Sequence, residues 1–307
     1  MAKTGNEILT GIKRRITIPA QQPLMQNDDL LAMVDDIIQS RLVPVMISMR
    51  QDFFVTSTDV AIVANQSEYD IPKRAVGRTL RDLKRKTTSG SKTDMTLVGI
   101  EDEHFSSLTG IPGQFYFKGD KIVIVPKPSS SNDVLEEWYE IMPSKVTTTD
   151  KAGLVTSVSG DDVSVASVPS VLSIGKMTDF VTGYSGHSLK AMDKTITNVT
   201  GNVISFAAGD VPTTLVAGDY VSLAGYSPVM QMPDECYPYL ETETCYRILQ
   251  AISDYEGAKF LMQDIEIELK NLKMLLEPRI KGEATKIIPR MGLARGSRSR
   301  WKWGFLR

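Results

Sequence analysis

The clearest helical period in the chain runs from Pro233 to Pro278. Apolar residues recur at Leu240, Cys245, Ile248 and Ile252, then at Leu261, Ile265, Leu269, Leu272 and Leu276. Steps of three and four put one apolar stripe on each of two helices, with Glu241, Glu243, Arg247, Asp264, Glu268 and Lys270 mostly on wet faces. Asp234 is the expected N-cap, Gly257 the expected break and Pro278 the stop, so the stretch reads as an antiparallel helix hairpin. Its partner is a helix capped by Asn27 or Asp28, striped by Leu30 or Leu31, Val34, Ile37 or Ile38 and Leu42, and kinked or ended by Pro44. Residues 1–26 carry Lys3, Lys13, Arg14 and Arg15 with too little apolar period for a core element, and read as an arm.

From Phe53 the period falls to two. Phe53 to Ala64 and the phrase Ser67 to Pro72 read as a strand followed by an extended turn, Leu80 to Lys84 as another strand, and Lys86 to Asp94 as a polar exposed loop. Gln114 to Lys118 and Lys121 to Pro126 flank Gly119-Asp120, a two-residue hairpin whose Gly-first order favours a type II′ turn. Val134 to Ile141 adds another strand. Residues 145–225 are dense in Thr, Ser, Val and Gly. Their short alternating runs (Leu154–Val158, Val163–Val165, Met177–Val181, Thr195–Val199, Val203–Phe206, Tyr220–Leu223) have the spacing of a small antiparallel barrel or sandwich.

The expected fold class is therefore α+β. A body of residues 27–144 and 226–278 combines an N-terminal helix, a β-sheet region and the C-terminal helix pair. An inserted β domain spans 145–225, and the termini, 1–26 and 279–307, are extended.

Composition narrows the class. With 42% hydrophobic and 23% charged residues over 307 positions, the chain is long enough for about two domains. No apolar run approaches the ~20 residues of a membrane helix, and no signal-type segment follows the first basic residues, so a cytoplasmic protein without membrane contact is expected. Cys236 and Cys245 fall on opposite sides of one helix, which excludes a disulfide between them and leaves both as buried or half-buried thiols.

Chemistry is conspicuous by its missing patterns. There is no Walker A loop and no dinucleotide fingerprint, and only His104 and His187 could serve a metal or triad site. Ser185 lies in Gly183-Tyr184-Ser185-Gly186, which is not a nucleophile elbow, and His187 reads as a loop residue bonding its own turn. Asp35 and Asp36 point about 100° apart on a helix and read as a solvated face. No enzymatic activity and no cofactor are expected.

Charge is uneven. Residues 279–307 hold nine Lys/Arg and one acid, leaving 26 bases against 36 acids in residues 1–278. In this tail Arg290, Arg295, Arg298, Arg300, Lys302 and Arg307 alternate with Trp301, Trp303 and Phe305. The bland reading is a disordered solubilising end. The aromatic content favours docking on another protein, since Trp and Arg are the residues that most often anchor interfaces.

Several short phrases recur together in this order: Tyr69-Asp70-Ile71-Pro72, Phe115 to Ile122 ending at Pro126-Lys127-Pro128, Trp138-Tyr139 before Met142-Pro143, and Met232-Pro233-Asp234-Glu235. With the leading helix they resemble the head-to-tail adaptor, or connector, proteins of tailed bacteriophages over nearly the whole chain. The resemblance implies a structural subunit of the virion neck, made in the host cytoplasm, that forms a homo-oligomeric, usually dodecameric ring between portal protein and tail or nozzle proteins. It also implies a C-terminal extension that reaches the portal or a neighbouring subunit. The insertion at 145–225 departs from the smaller adaptors. An acidic body suits a lumen through which genomic DNA passes without specific binding. Two other classes remain in view: a nucleic-acid-binding protein using the basic tail, and a carbohydrate-binding or hydrolytic protein using the β insertion.

Overall fold

The helix pair at the C-terminal end of the body is built round its first member. In the computed structural model, which describes residues 3–16, 25–101, 108–184 and 189–277, the helices are α1 (Gly5–Arg15), α2 (Asn27–Ile37), α3 (Val43–Met49), α4 (Tyr237–Ala251) and α5 (Tyr255–Leu276). The chain is a mixed α+β protein whose strands form several sheets. Helix α4 touches α1, α2 and α5, so nearly every side of it is covered. Leu240, Cys245 and Ile248 are fully buried, as the stripe predicts, but Glu241, Thr242, Glu243 and Thr244 are buried too. The expectation that Glu241 and Glu243 lie on a wet face is therefore corrected. A helix covered on nearly every side leaves little wet face, and its polar side chains survive there by finding partners.

The hairpin turns earlier than expected. Ser253 adopts a left-handed backbone (φ +63°), and the Asp254 side chain caps α5 by accepting the Gly257 N–H at 3.0 Å. Gly257 thus lies in the first turn of α5 rather than at the break. Asp234 opens a short 3-10 turn, Asp234–Cys236, and α4 begins after it with no side-chain cap. At the other end of the body, α2 and α3 run into each other through a π-turn, Ile38–Leu42, in which Val43 N–H bonds to Ile38 C=O. Pro44 has no N–H to donate, and the wider turn absorbs that loss without ending the helix.

Residues 5–15 are not an arm. Thr4 and Glu7 form a capping box, and Ile8, Leu9 and Ile12 enter the main core with α2 and α4. Three apolar residues on one face suffice because Lys13, Arg14 and Arg15 occupy the last turn, where they suit the helix dipole. The start of α1 is pressed against Thr147, whose carbonyl oxygen would lie 2.2 Å from a Cβ at Gly5.

Beside the helices lies an antiparallel sheet in the order Val55–Ala61, Val134–Glu140, Asp82–Lys86, Lys92–Asp94. The last strand corrects the reading of Lys86 to Asp94 as a loop, since Lys84 to Lys86 pair with Lys92 to Asp94. A second sheet carries the expected hairpin of Gln114–Lys118 and Lys121–Val125, with Gly119 at φ +66°. Both sheets contribute to the helical core.

The β-rich stretch builds one seven-stranded sheet, in the order Leu189–Thr195, Met177–Val181, Tyr220–Leu223, Gly153–Ser159, Asp162–Val165, Val203–Ser205, Asn198–Thr200. Gly153–Ser159 pairs with one neighbour through Gly153 and Leu154 and with the other from Val155 onward, across a bulge. No sheet closes into a barrel among the described residues, which corrects that alternative. Val155, Val163, Phe180, Ile204 and Val221 form a cluster separate from the helical core. Met1–Glu277 nevertheless forms one compact unit that includes this stretch. The Arg74 guanidinium helps to tie the two cores together, bonding Asp179 at 2.7 and 3.1 Å and Asp193 at 3.0 Å.

Candidate interface and ligand pocket

The residues expected to dock, Arg290, Arg295, Arg298, Arg300, Trp301, Lys302, Trp303, Phe305 and Arg307, lie outside the described residues, as do His104, Ser185 and His187. Among the described residues there is no histidine and no cluster of acids, cysteines and histidines that could hold a metal ion. Both cysteines are free and fully buried. Burial pushes the Cys236 thiol up to about 12 and the Cys245 thiol up to about 11, which leaves neither as a thiolate nucleophile at neutral pH.

Helix α5 carries two apolar stripes. One faces inward, with Leu272 and Leu276 buried and Leu261, Ile265 and Leu269 packed against the core. The other is Phe260, Ile267 and Met274, spaced seven apart and exposed at 81, 51 and 62%. At about 100° per residue these three lie within about 40° of one another and nearly opposite the buried stripe. Sequence reading found only the first, because a search for one apolar face stops when it has one. Leu97, Ile100, Leu108 and Ile111 are further apolar residues left exposed.

Asp35 is likewise not on a solvated face. It is 9% exposed and accepts the Val146 N–H at 2.8 Å, clipping α2 to the short Lys145–Val146 strand. Burial outweighs that hydrogen bond and raises the carboxyl to about 6.

The main sheet holds a group that sequence reading passed over. Along Val134–Glu140, Leu135, Glu137 and Tyr139 share one face, by the strict alternation of a strand. Glu137 therefore points the same way as two core residues. It is 0% exposed, lies between Thr58 and Leu83 in the register, and neither carboxylate oxygen has a hydrogen-bond partner. Burial, with the nearby Asp70 charge, pushes its carboxyl up to about 7. Glu137 helps to wall a cavity of about 340 Å³ together with Val60, Pro72, Arg74, Tyr139 and Met192. An acid bracketed by two core positions on an alternating strand was the signal available in the sequence.

Among the described residues these features supply exposed apolar surface and a cavity with an unpaired buried acid. No protein-family model matches the chain, and no curated protein matches it in sequence.

Proposed function

We propose that this chain is a non-enzymatic structural subunit of a phage neck, forming a homo-oligomeric ring that joins the portal to the tail. In this reading residues 27–144 and 226–278, with α1 added, make the body of each subunit. Residues 145–225 are an inserted β module, and residues 279–307 dock on the portal or on the next subunit. The observation that carries the proposal is the outward stripe of α5. Phe260, Ile267 and Met274 would stay wet in an isolated molecule, and exposed apolar surface on a well-packed body is the usual mark of a protein partner. The order of short phrases that resembles the adaptor proteins directs that partner to a second copy and to the portal.

The test is to mix the purified chain with its portal protein and measure the mass of the product. A discrete multimer on the portal is the expected result. A monomer that ignores the portal and binds duplex DNA with a steep salt slope would favour the second reading, which rests on nine Lys/Arg against one acid in residues 279–307.

A further inference from the structure

The cavity at Glu137 is unlike the other clefts of the molecule. Those on α1 and α2 are lined by acids that already hold Lys3, Arg15, Lys151 or a backbone N–H. The Glu137 cavity is walled largely by apolar groups, Val60, Pro72 and Met192 among them, with one fully buried carboxyl whose two oxygens lack partners. A buried charge is tolerated when it is paired, and the arginine in the cavity wall is already engaged. Arg74 spends its guanidinium on Asp179 and Asp193. Lys73 is exposed and lines the same cavity without an ion pair to Glu137.

We propose that this cavity binds an alkylguanidinium group, toward which the covered Glu137 carboxyl turns to pair through its two free oxygens, the aliphatic stem lying along Val60, Pro72 and Met192. Geometry selects guanidinium over ammonium. A planar fork with parallel N–H groups matches the two oxygens of a carboxylate, and guanidinium is the more weakly hydrated of the two cations and so the less costly to bury. The charged and titratable groups that line the cavity with Glu137 are Asp70, Lys73, Arg74, Tyr139 and Asp193. Asp70 and Asp193 add negative potential, Arg74 is neutralised by its acids, and Lys73 competes from the rim. Because the Glu137 carboxyl sits at about 7, an incoming cation must displace its proton below that pH. The inference stands independently of ring formation.

Calorimetry on the full chain at pH 8 tests it with two ligands, butylguanidinium and the tripeptide Gly-Arg-Gly, against n-pentanol as the uncharged control. Binding of either cation is expected, with no comparable binding of pentanol. Tighter binding of the peptide would assign the natural ligand to an arginine side chain, and tighter binding of butylguanidinium to a free small molecule. Affinity should fall about tenfold at pH 6, where most of the carboxyl is protonated. Glu137→Gln, which keeps the shape, should lose binding at least tenfold and abolish the pH dependence. Lys73→Met should leave affinity unchanged or raise it. Overturning results are a pH-independent affinity equal for E137Q and the wild type, no binding of either cation, or loss of binding in K73M.

Discussion

Glu241 and Glu137 are both acids in the interior of the same body, and their surroundings are opposite. Glu241, 5% exposed on α4, bonds Lys3 at 2.7 Å and Arg15 at 3.3 Å. The approach is close enough that a Cβ on Gly11 would stand 2.5 Å from its Oε1, so α1 carries a glycine where it passes. Glu137, on an inner strand of the main sheet, has no partner for either oxygen. Asp179 completes the series at 0% exposure, accepting from Arg74 and from the backbone N–H groups of Asp193 and Gly225. The comparison teaches that burial of an acid says little by itself. The number of donors aimed at the acid decides whether it stabilises the fold or waits for something else.

The largest effect is expected at Asp179. Removing its cation with Arg74→Ala leaves a fully buried carboxylate with only backbone donors, which should cost about 3–5 kcal/mol. Because Arg74 lies in the body and Asp179 in the seven-stranded sheet, the loss should appear in urea denaturation as a separate, earlier transition of the β-rich stretch. A single unshifted transition would show that the clamp contributes nothing to holding the two cores together.

Glu137 should respond with the opposite sign. Its folded-state carboxyl at about 7 lies above its ordinary value of 4.5, so the folded chain binds a proton more readily than the unfolded chain. In the window between about 4.5 and 7 the wild type therefore loses stability as pH rises. The difference between those values corresponds to about 3 kcal/mol. Glu137→Gln removes the titration, so its stability relative to wild type should climb by about that amount from pH 4.5 to pH 8, read by denaturation at a series of pH values. Asp35, raised to about 6, adds a slope of the same sign in both proteins and cancels in the difference.

Glu241→Gln should be milder, at about 1 kcal/mol. Lys3 and Arg15 are 41 and 39% exposed and can return to water when the ion pairs are lost. A loss as large as that of Arg74→Ala would mean that Glu241 is more thoroughly desolvated than its neighbours imply.

The contrast also explains what could be read from the chain in advance. Met177–Val181 and Tyr220–Leu223 lie where alternation put them, and Gly119 turns the hairpin that its position before Asp120 called for. Local pattern suffices for such elements. Helix α1 was missed because Lys13, Arg14 and Arg15 mask a short stripe, and Leu189–Thr195 because Lys190, Asp193 and Lys194 break the alternation of a half-exposed strand. Glu241 and Asp35 read as solvent-facing from local pattern because their donors are contributed by distant parts of the chain, Lys3 and Arg15 in one case and Val146 in the other. Long-range partners leave no mark on local periodicity. The expected docking residues from Arg290 to Arg307 fall outside the described residues, so the site legible in the structure is a different one, Glu137 and the outer stripe of α5.

That stripe extends the comparison from unpaired charge to unpaired apolar surface, and it carries the smallest expected effect on the fold. Phe260 is 81% exposed, so Phe260→Ser combined with Ile267→Ser removes no core contact and should change folding stability by no more than about 1 kcal/mol. Leu240→Ala, inside α4 and fully buried, should cost about 2–5 kcal/mol. If the outer stripe is a subunit contact, the double serine variant should sediment as a monomer at concentrations where the wild type forms larger species, while its denaturation midpoint stays close to that of the wild type. Leu240→Ala should show the reverse, a lower midpoint with the association of the remaining folded protein intact. Equal sedimentation of the serine variant and the wild type would remove α5 from the interface and leave the other exposed apolar residues, Leu97, Ile100, Leu108 and Ile111 among them, to mutate next.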